Sequence, residues 1–150
     1  MKLEHLAAYL PYRLKMITGR HYNDKTKKHE HITSEMRGVS ESHINFKLLG
    51  GSFSFYTGNP KVQPTPILCP FSALEKGFYK TEKSFDVFWG FLSSWVIEKI
   101  EYIIRNNVTG NELTEIIEEF PYSEIKVLLK EKIDIFGLIP TGEAIDINTI

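Results

Sequence analysis

The chain has 150 residues, 42% hydrophobic and 25% charged, which suits a single domain over 1–150 that needs neither a metal nor a disulfide to fold. Its one cysteine, Cys69, excludes an intramolecular disulfide and fits a reducing cytoplasm, and no stretch of about 18 apolar residues exists to span a membrane. The net charge of −1 hides an asymmetry, with residues 1–97 summing to +5 and residues 98–150 to −6, a pattern of a nucleic-acid face or an acidic docking face.

The opening "LEHLAAY" predicts a short helix over 3–9 that Pro11 ends, and its Glu4 and His5 interrupt the apolar run that a secretory leader would need. "YRLKMIT" alternates, with Tyr12, Leu14 and Met16 facing one way and Arg13 and Lys15 the other, which predicts a half-buried strand. A charged turn with its tip at Asn23-Asp24 leads into a returning strand, "HEHITSEMRGV". "HINFKLLGGSFSFYTGNP" predicts a third strand, a Gly50-Gly51 break and a fourth strand stopped at Gly58-Asn59-Pro60. Residues 60–70 carry four prolines and read as an extended arm or sheet edge rather than a central strand.

The second half changes period. Ser84 as N-cap, with Asp86 in the first turn, predicts a helix of six turns along Phe85, Phe88, Trp89, Leu92, Val96, Ile100 and Ile103. Phe91, Trp95 and Tyr102 fall off that stripe, so this helix is expected to be central or to meet something. Two helices follow, one capped by Asn111 and stopped by Pro121, the other capped by Ser123. The tail "KIDIFGLIPTGEAIDINTI" is too apolar to trail in water; it predicts a turn and a closing strand, with Ile145 and Ile147 against the sheet. Strands first and helices after give an α+β fold: a small antiparallel sheet from the N-terminal half, with helices from the C-terminal half packed on one face.

Catalytic chemistry has little to stand on. His29 and His31 would share one side of a strand, with His21 and His43 as possible companions, but zinc takes three or four ligands and the usual cysteine pairs are absent. Cys69 sits between Leu68 and Pro70 with no neighbouring cation to activate it, so it reads as a structural thiol. No phosphate-binding loop, nucleophile elbow or HExxH pair occurs. The expectation is a non-enzyme with no catalytic residues, metal or cofactor.

Two charged features remain. Arg13, Lys15, Arg20, Lys25, Lys27 and Lys28, with Tyr12 and Tyr22 interleaved, form a candidate nucleic-acid contact, since clustered cations neutralise phosphates and aromatics stack on bases. Glu112, Glu115 and Glu119 recur at helical spacing beside Glu118. Such a row can imitate phosphates on a cationic groove. With Phe91 and Trp95 it makes the candidate partner-binding surface.

In three segments, "LAAYLPYRLK" (6–15), "PILCPFSAL" (66–74) and "IDIFGLIPTGEAIDINTI" (133–150), the chain resembles a group of small phage and prophage proteins of Bacteroidetes. Their pattern is an LxxYLPYxLK-like opening, an ILxPLSxL-like centre and a DVFGLIxxGLAIDIN-like close. Here Glu143 stands where that close has leucine, and Cys69 and Phe71 depart from the central pattern. The resemblance implies a phage-derived interaction protein of the host cytoplasm that binds and inhibits a host nucleic-acid enzyme. An anti-CRISPR protein acting on a CRISPR effector ribonucleoprotein, the RNA-guided RNase of type VI systems, is the sharpest form of that implication.

Overall fold

A computed structural model describes residues 3–40, 43–48, 51–56, 64–75 and 88–150. Ser84, Phe85 and Asp86, Gly50 and the Gly58-Asn59-Pro60 stop lie outside the described residues. The alternating segments form strands β1 (Lys15–Asn23), β2 (Lys28–Val39), β3 (His43–Leu48), β4 (Gly51–Tyr56) and β5 (Thr65–Leu68), and Ile145–Asp146 adds β6. The helices are α1 (Leu3–Ala8), α2 (Ser72–Glu75), α3 (Ser94–Asn106), α4 (Gly110–Glu118) and α5 (Tyr122–Lys130). The chain is therefore α+β, with strands from its N-terminal half and helices in its C-terminal half.

The strand order is β4-β3-β2-β1-β5-β6. Every pairing is antiparallel except β5–β6, so the sheet is mixed rather than purely antiparallel. The proline-rich segment also departs from expectation, because β5 lies inside the sheet between β1 and β6. Proline is tolerated there because pairing with β1 is confined to Met16–Pro66 and Ile17–Thr65, while Pro64, Pro66, Ile67 and Leu68 are all buried. Burial of that apolar run outweighs the missing donor.

One sheet face carries Met16, Met36, Ile44 and Phe46 into a core shared with Val96, Ile100 and Ile103 of α3, Leu113, Ile116 and Ile117 of α4, and Leu128 and Leu129 of α5. Pro11 does not simply end α1. It opens a 3-10 turn over Leu10–Tyr12 that closes on Arg13 in the left-handed region, so β1 starts at Lys15 with Leu14 already buried. The first hairpin turns where expected: Asn23 Oδ1 accepts from the Lys25 and Thr26 amides at 3.0 and 3.3 Å.

The six-turn helix is broken. Phe88 and Trp89 are helical, residues 90–92 turn, and α3 begins only after Ser93, which is extended and caps it by accepting from the Val96 amide. The physical reason is a buried carboxylate that the stripe of apolar residues does not reveal. Glu124 Oε2 accepts from Ser93 N at 2.8 Å and from Ser93 Oγ at 3.2 Å, which holds Ser93 out of helical geometry. The predicted caps Asn111 and Ser123 lie inside α4 and α5, whose cap positions are Thr109 and Pro121. The chain reverses earlier than the cap chemistry suggested, at left-handed Asn107 and at the buried Phe120 next to Pro121.

The tail is built into the core. Ile133, Ile135, Leu138 and Ala144 are buried within it. The Asp134 carboxylate accepts from the Leu138 and Ile139 amides at 2.8 and 2.7 Å, and Gly137 takes the positive φ of 66° that the turn requires, with Leu113 already 3.4 Å from where a Cβ would sit. Ile147 is a correction. The closing strand is only two residues long, because the Asp146 side chain caps the Asn148 amide and starts a 3-10 turn, which leaves Ile147 42% exposed.

Residues 132–134 are also pinned by distant segments. Cys69 N donates to Lys132 O, Asp134 N donates to Cys69 O, both at 2.9 Å, and the Tyr9 hydroxyl donates to Ile133 O at 2.6 Å. Phe136 completes the contact, stacked on His5 at 4.5 Å and meeting Tyr9 edge-on at 5.9 Å. Burial pushes the Tyr9 hydroxyl well above its usual pKa, and the nearby Asp134 carboxylate adds to the rise. Burial likewise pushes Asp134 up, against the backbone N–H groups that pull it down. Tyr9→Phe leaves the buried Ile133 carbonyl with the Ile135 amide, at 2.9 Å, as its one remaining donor among the described residues, and should cost about 1–2 kcal/mol. In a chain of this size that lowers the thermal midpoint by about 2–8 °C, measured by circular dichroism at neutral pH.

Candidate functional site: an aromatic and acidic helical face

The helix break at Ser93 has a consequence at the surface. Phe88 and Leu92 are buried, so the tight turn between them pushes Phe91 outward, where it is 63% exposed. Trp95 follows in the first turn of α3 at 39%, and Tyr122 opens α5 at 73%. All three lie within two residues of the Ser93–Glu124 contact, which joins the start of α3 to the start of α5. Trp95 rests edge-on against the buried Phe120 ring at 5.8 Å, which fixes its orientation while leaving part of it in water.

The acidic row lies alongside. Two contacts link α3 to α4: Lys99 Nζ reaches Glu119 Oε2 at 3.7 Å, and the Tyr102 hydroxyl donates to Glu112 Oε1 at 3.1 Å. That hydrogen bond and the Glu112 charge push the Tyr102 pKa up. Lys99 also lies over the Trp95 ring, 5.8 Å from its centroid. Lys99 thus links Trp95 to Glu119, the end of a row in which Glu112, Glu115 and Glu119 span about 10 Å of helix. Glu112 and Glu119 spend part of their hydrogen-bonding capacity inside the protein. Glu115 and Glu118 are exposed and make no hydrogen bond or ion pair among the described residues.

Two contributors were missed by sequence reasoning. Tyr122 and Lys126 sit four apart on the outer side of α5, with Lys126 Nζ 5.1 Å from the Tyr122 ring centroid, a spacing that would have flagged an exposed aromatic. Tyr102 was noted as off the apolar stripe, but its bond to Glu112 depends on how α3 and α4 turn back on each other.

The other candidates divide. Arg20, Lys25, Lys27 and Lys28 gather on the outer half of the β1–β2 hairpin, all exposed. Arg13 and Lys15 stay at its root, about 25 Å of strand away from the tip, and Lys15 pairs in register with Glu35. His29 and His31 occupy one face of the hairpin, where His29 meets the Tyr22 ring edge-on at 5.3 Å. Among the described residues no three His, Cys, Asp or Glu side chains gather as a ligand set. Cys69 is buried; burial first, then the Asp146 and Glu131 carboxylates, push its thiol up to about 11. Among the described residues no helix is long and apolar enough to cross a membrane. The chain matches no protein-family model, no curated protein and no solved structure.

The geometry makes Glu124 the positioning residue for the exposed aromatics. Glu124→Ala removes the acceptor that fixes Ser93 and should cost about 1–3 kcal/mol in thermal or urea unfolding. It should also raise amide exchange over residues 88–94 more than over residues 100–106. Uniform exchange across both segments would separate Glu124 from the placement of Phe91.

Proposed function

We propose that this chain is a non-enzymatic binding protein that docks its aromatic and acidic helical face on the cationic groove of a nucleic-acid enzyme and blocks it. The observation that carries the reading is the exposure of Phe91, Trp95 and Tyr122, with Trp95 linked through Lys99 to Glu119 at one end of an acidic row in which Glu115 and Glu118 are unengaged among the described residues. Large aromatics held at fixed positions on a surface supply most of the affinity in protein interfaces. Carboxylates in a row steer such a surface toward cations and keep it off acidic partners. A groove that normally grips phosphates is lined with lysine and arginine and offers the matching charge.

The resemblance to phage and prophage proteins supplies the kind of target: a host enzyme in the bacterial cytoplasm, with a CRISPR effector ribonucleoprotein as the sharpest form. The chain would act there by occupancy, since nothing in the docking reading calls for a reaction.

Cleavage of a quenched reporter RNA by a purified type VI effector, with and without the protein, tests this. The full chain should slow cleavage. Phe91→Ala and Trp95→Ala should each weaken inhibition by about tenfold or more, the loss typical of an interface anchor. Glu115→Lys should slow association most at low salt. Full cleavage in the presence of excess protein, or undiminished inhibition by the Phe91→Ala, Trp95→Ala double variant, would contradict the proposal.

A further inference from the structure

The β1–β2 hairpin outruns the core. Met16 and Met36 are buried at its root, but residues 20–22 and 31–33 are exposed, so the ribbon beyond Gly19 has water on both faces. The departure begins at a β-bulge. Register slips between Ile17 and Gly19, and Thr18 turns its hydroxyl to the Ser34 hydroxyl at 3.1 Å. A two-stranded ribbon is marginal in water by itself. This one is braced at its tip: Asn23 Nδ2 donates to Glu30 Oε1 at 2.6 Å, and the Thr26 hydroxyl donates to the same oxygen at 3.1 Å. His21 Nε2 lies 3.5 Å from the other Glu30 oxygen. The ribbon's central carboxylate is therefore committed to holding the turn.

Its cations are not committed. The side chains of Arg20, Lys25, Lys27 and Lys28 make no ion pair or hydrogen bond among the described residues. Register places Arg20 opposite His31 and Tyr22 opposite His29, so four planar groups share one face of the ribbon. Tyr22 is 50% exposed within that face. Lysines at a braced tip suit phosphates, and a strip of flat, half-exposed rings and guanidinium suits bases that are free to stack. Bases inside a duplex are already stacked on one another, so the planar face selects an unpaired strand.

We infer that the β1–β2 hairpin is a single-stranded nucleic-acid contact, with Lys25, Lys27, Lys28 and Arg20 on phosphates and Tyr22 stacked on a base. It involves none of the residues of the aromatic and acidic face, so either surface can fail without the other.

Fluorescence anisotropy of the full chain with a labelled oligouridine of about 20 nucleotides tests it, beside a duplex of equal length and a polyglutamate competitor. Four phosphate contacts should weaken binding about fiftyfold between about 50 and about 200 mM salt. Lys25→Ala, Lys27→Ala and Lys28→Ala together should remove about two units from the slope of log Kd against log salt. Tyr22→Ala should weaken binding about tenfold with the slope unchanged, and Tyr22→Phe should restore it. Thermal midpoints equal to that of the parent chain show that the variants fold. The inference is overturned by no binding at low salt, by equal affinity for the duplex, by polyglutamate competing as well as RNA, or by variants that bind like the parent.

Discussion

Three hydrogen bonds hold together segments that lie far apart in the chain. Residues 132–134 run beside Cys69, exchanging backbone bonds with it on both sides, while the Tyr9 hydroxyl takes the Ile133 carbonyl between them. These groups are buried, so each would be costly to leave unmade. The junction ties α1 to the tail and the tail to the end of β5. It lets β6 add to the sheet in parallel and seats Ile133, Ile135 and Leu138 in the core. The segments it joins, within residues 6–15, 66–74 and 132–150, lie at the start, middle and end of the chain. Their residues thus carry a structural task, whatever else they do.

With that end of the molecule fixed, the charge asymmetry of the sequence becomes an asymmetry of surfaces. Helix α1 packs beside β2, which roots the hairpin whose outer half carries the uncommitted cations. At the other sign, Glu124 breaks the helical stripe at Ser93, and the break throws Phe91 outward into solvent. Both proposed contacts rest on one device, a glutamate hydrogen-bonded to nearby backbone or turn groups. Glu30 holds the hairpin tip and Glu124 holds the start of α3. Engaging each acid in these bonds leaves the neighbouring exposed groups to set the local character.

Much of this was visible in the residue pattern. Period-two alternation marked β1, the helical stripe marked the buried side of α3, and the apolar density of residues 133–139 marked the tail as core. Glutamate spacing placed the α4 acids on one outer face, and the turn chemistry of Asn23 placed the hairpin tip. The failures share a cause, which is that they depend on partners remote in sequence. Nothing local distinguishes Ser93 within an apolar stripe until Glu124, 31 residues later, binds it. Nothing local says that a proline-rich strand will be covered on both sides, because its cover comes from β1 and from the last residues of the chain. The exposure of Ile147 likewise follows from Asp146 capping the amide of Asn148 instead of extending the strand.

The junction is the claim on which the rest stands, and native-state hydrogen exchange tests it directly. The amides of Cys69 and Asp134, donors to Lys132 O and Cys69 O, should exchange only through global unfolding. Their opening free energy should equal that of the α3 core amides, within the range of about 5–15 kcal/mol expected for a domain. Both should also follow denaturant with the slope of the global transition. Exchange of Cys69 and Asp134 through a smaller opening, while α3 stays protected, would show that the tail detaches on its own and would contradict the account.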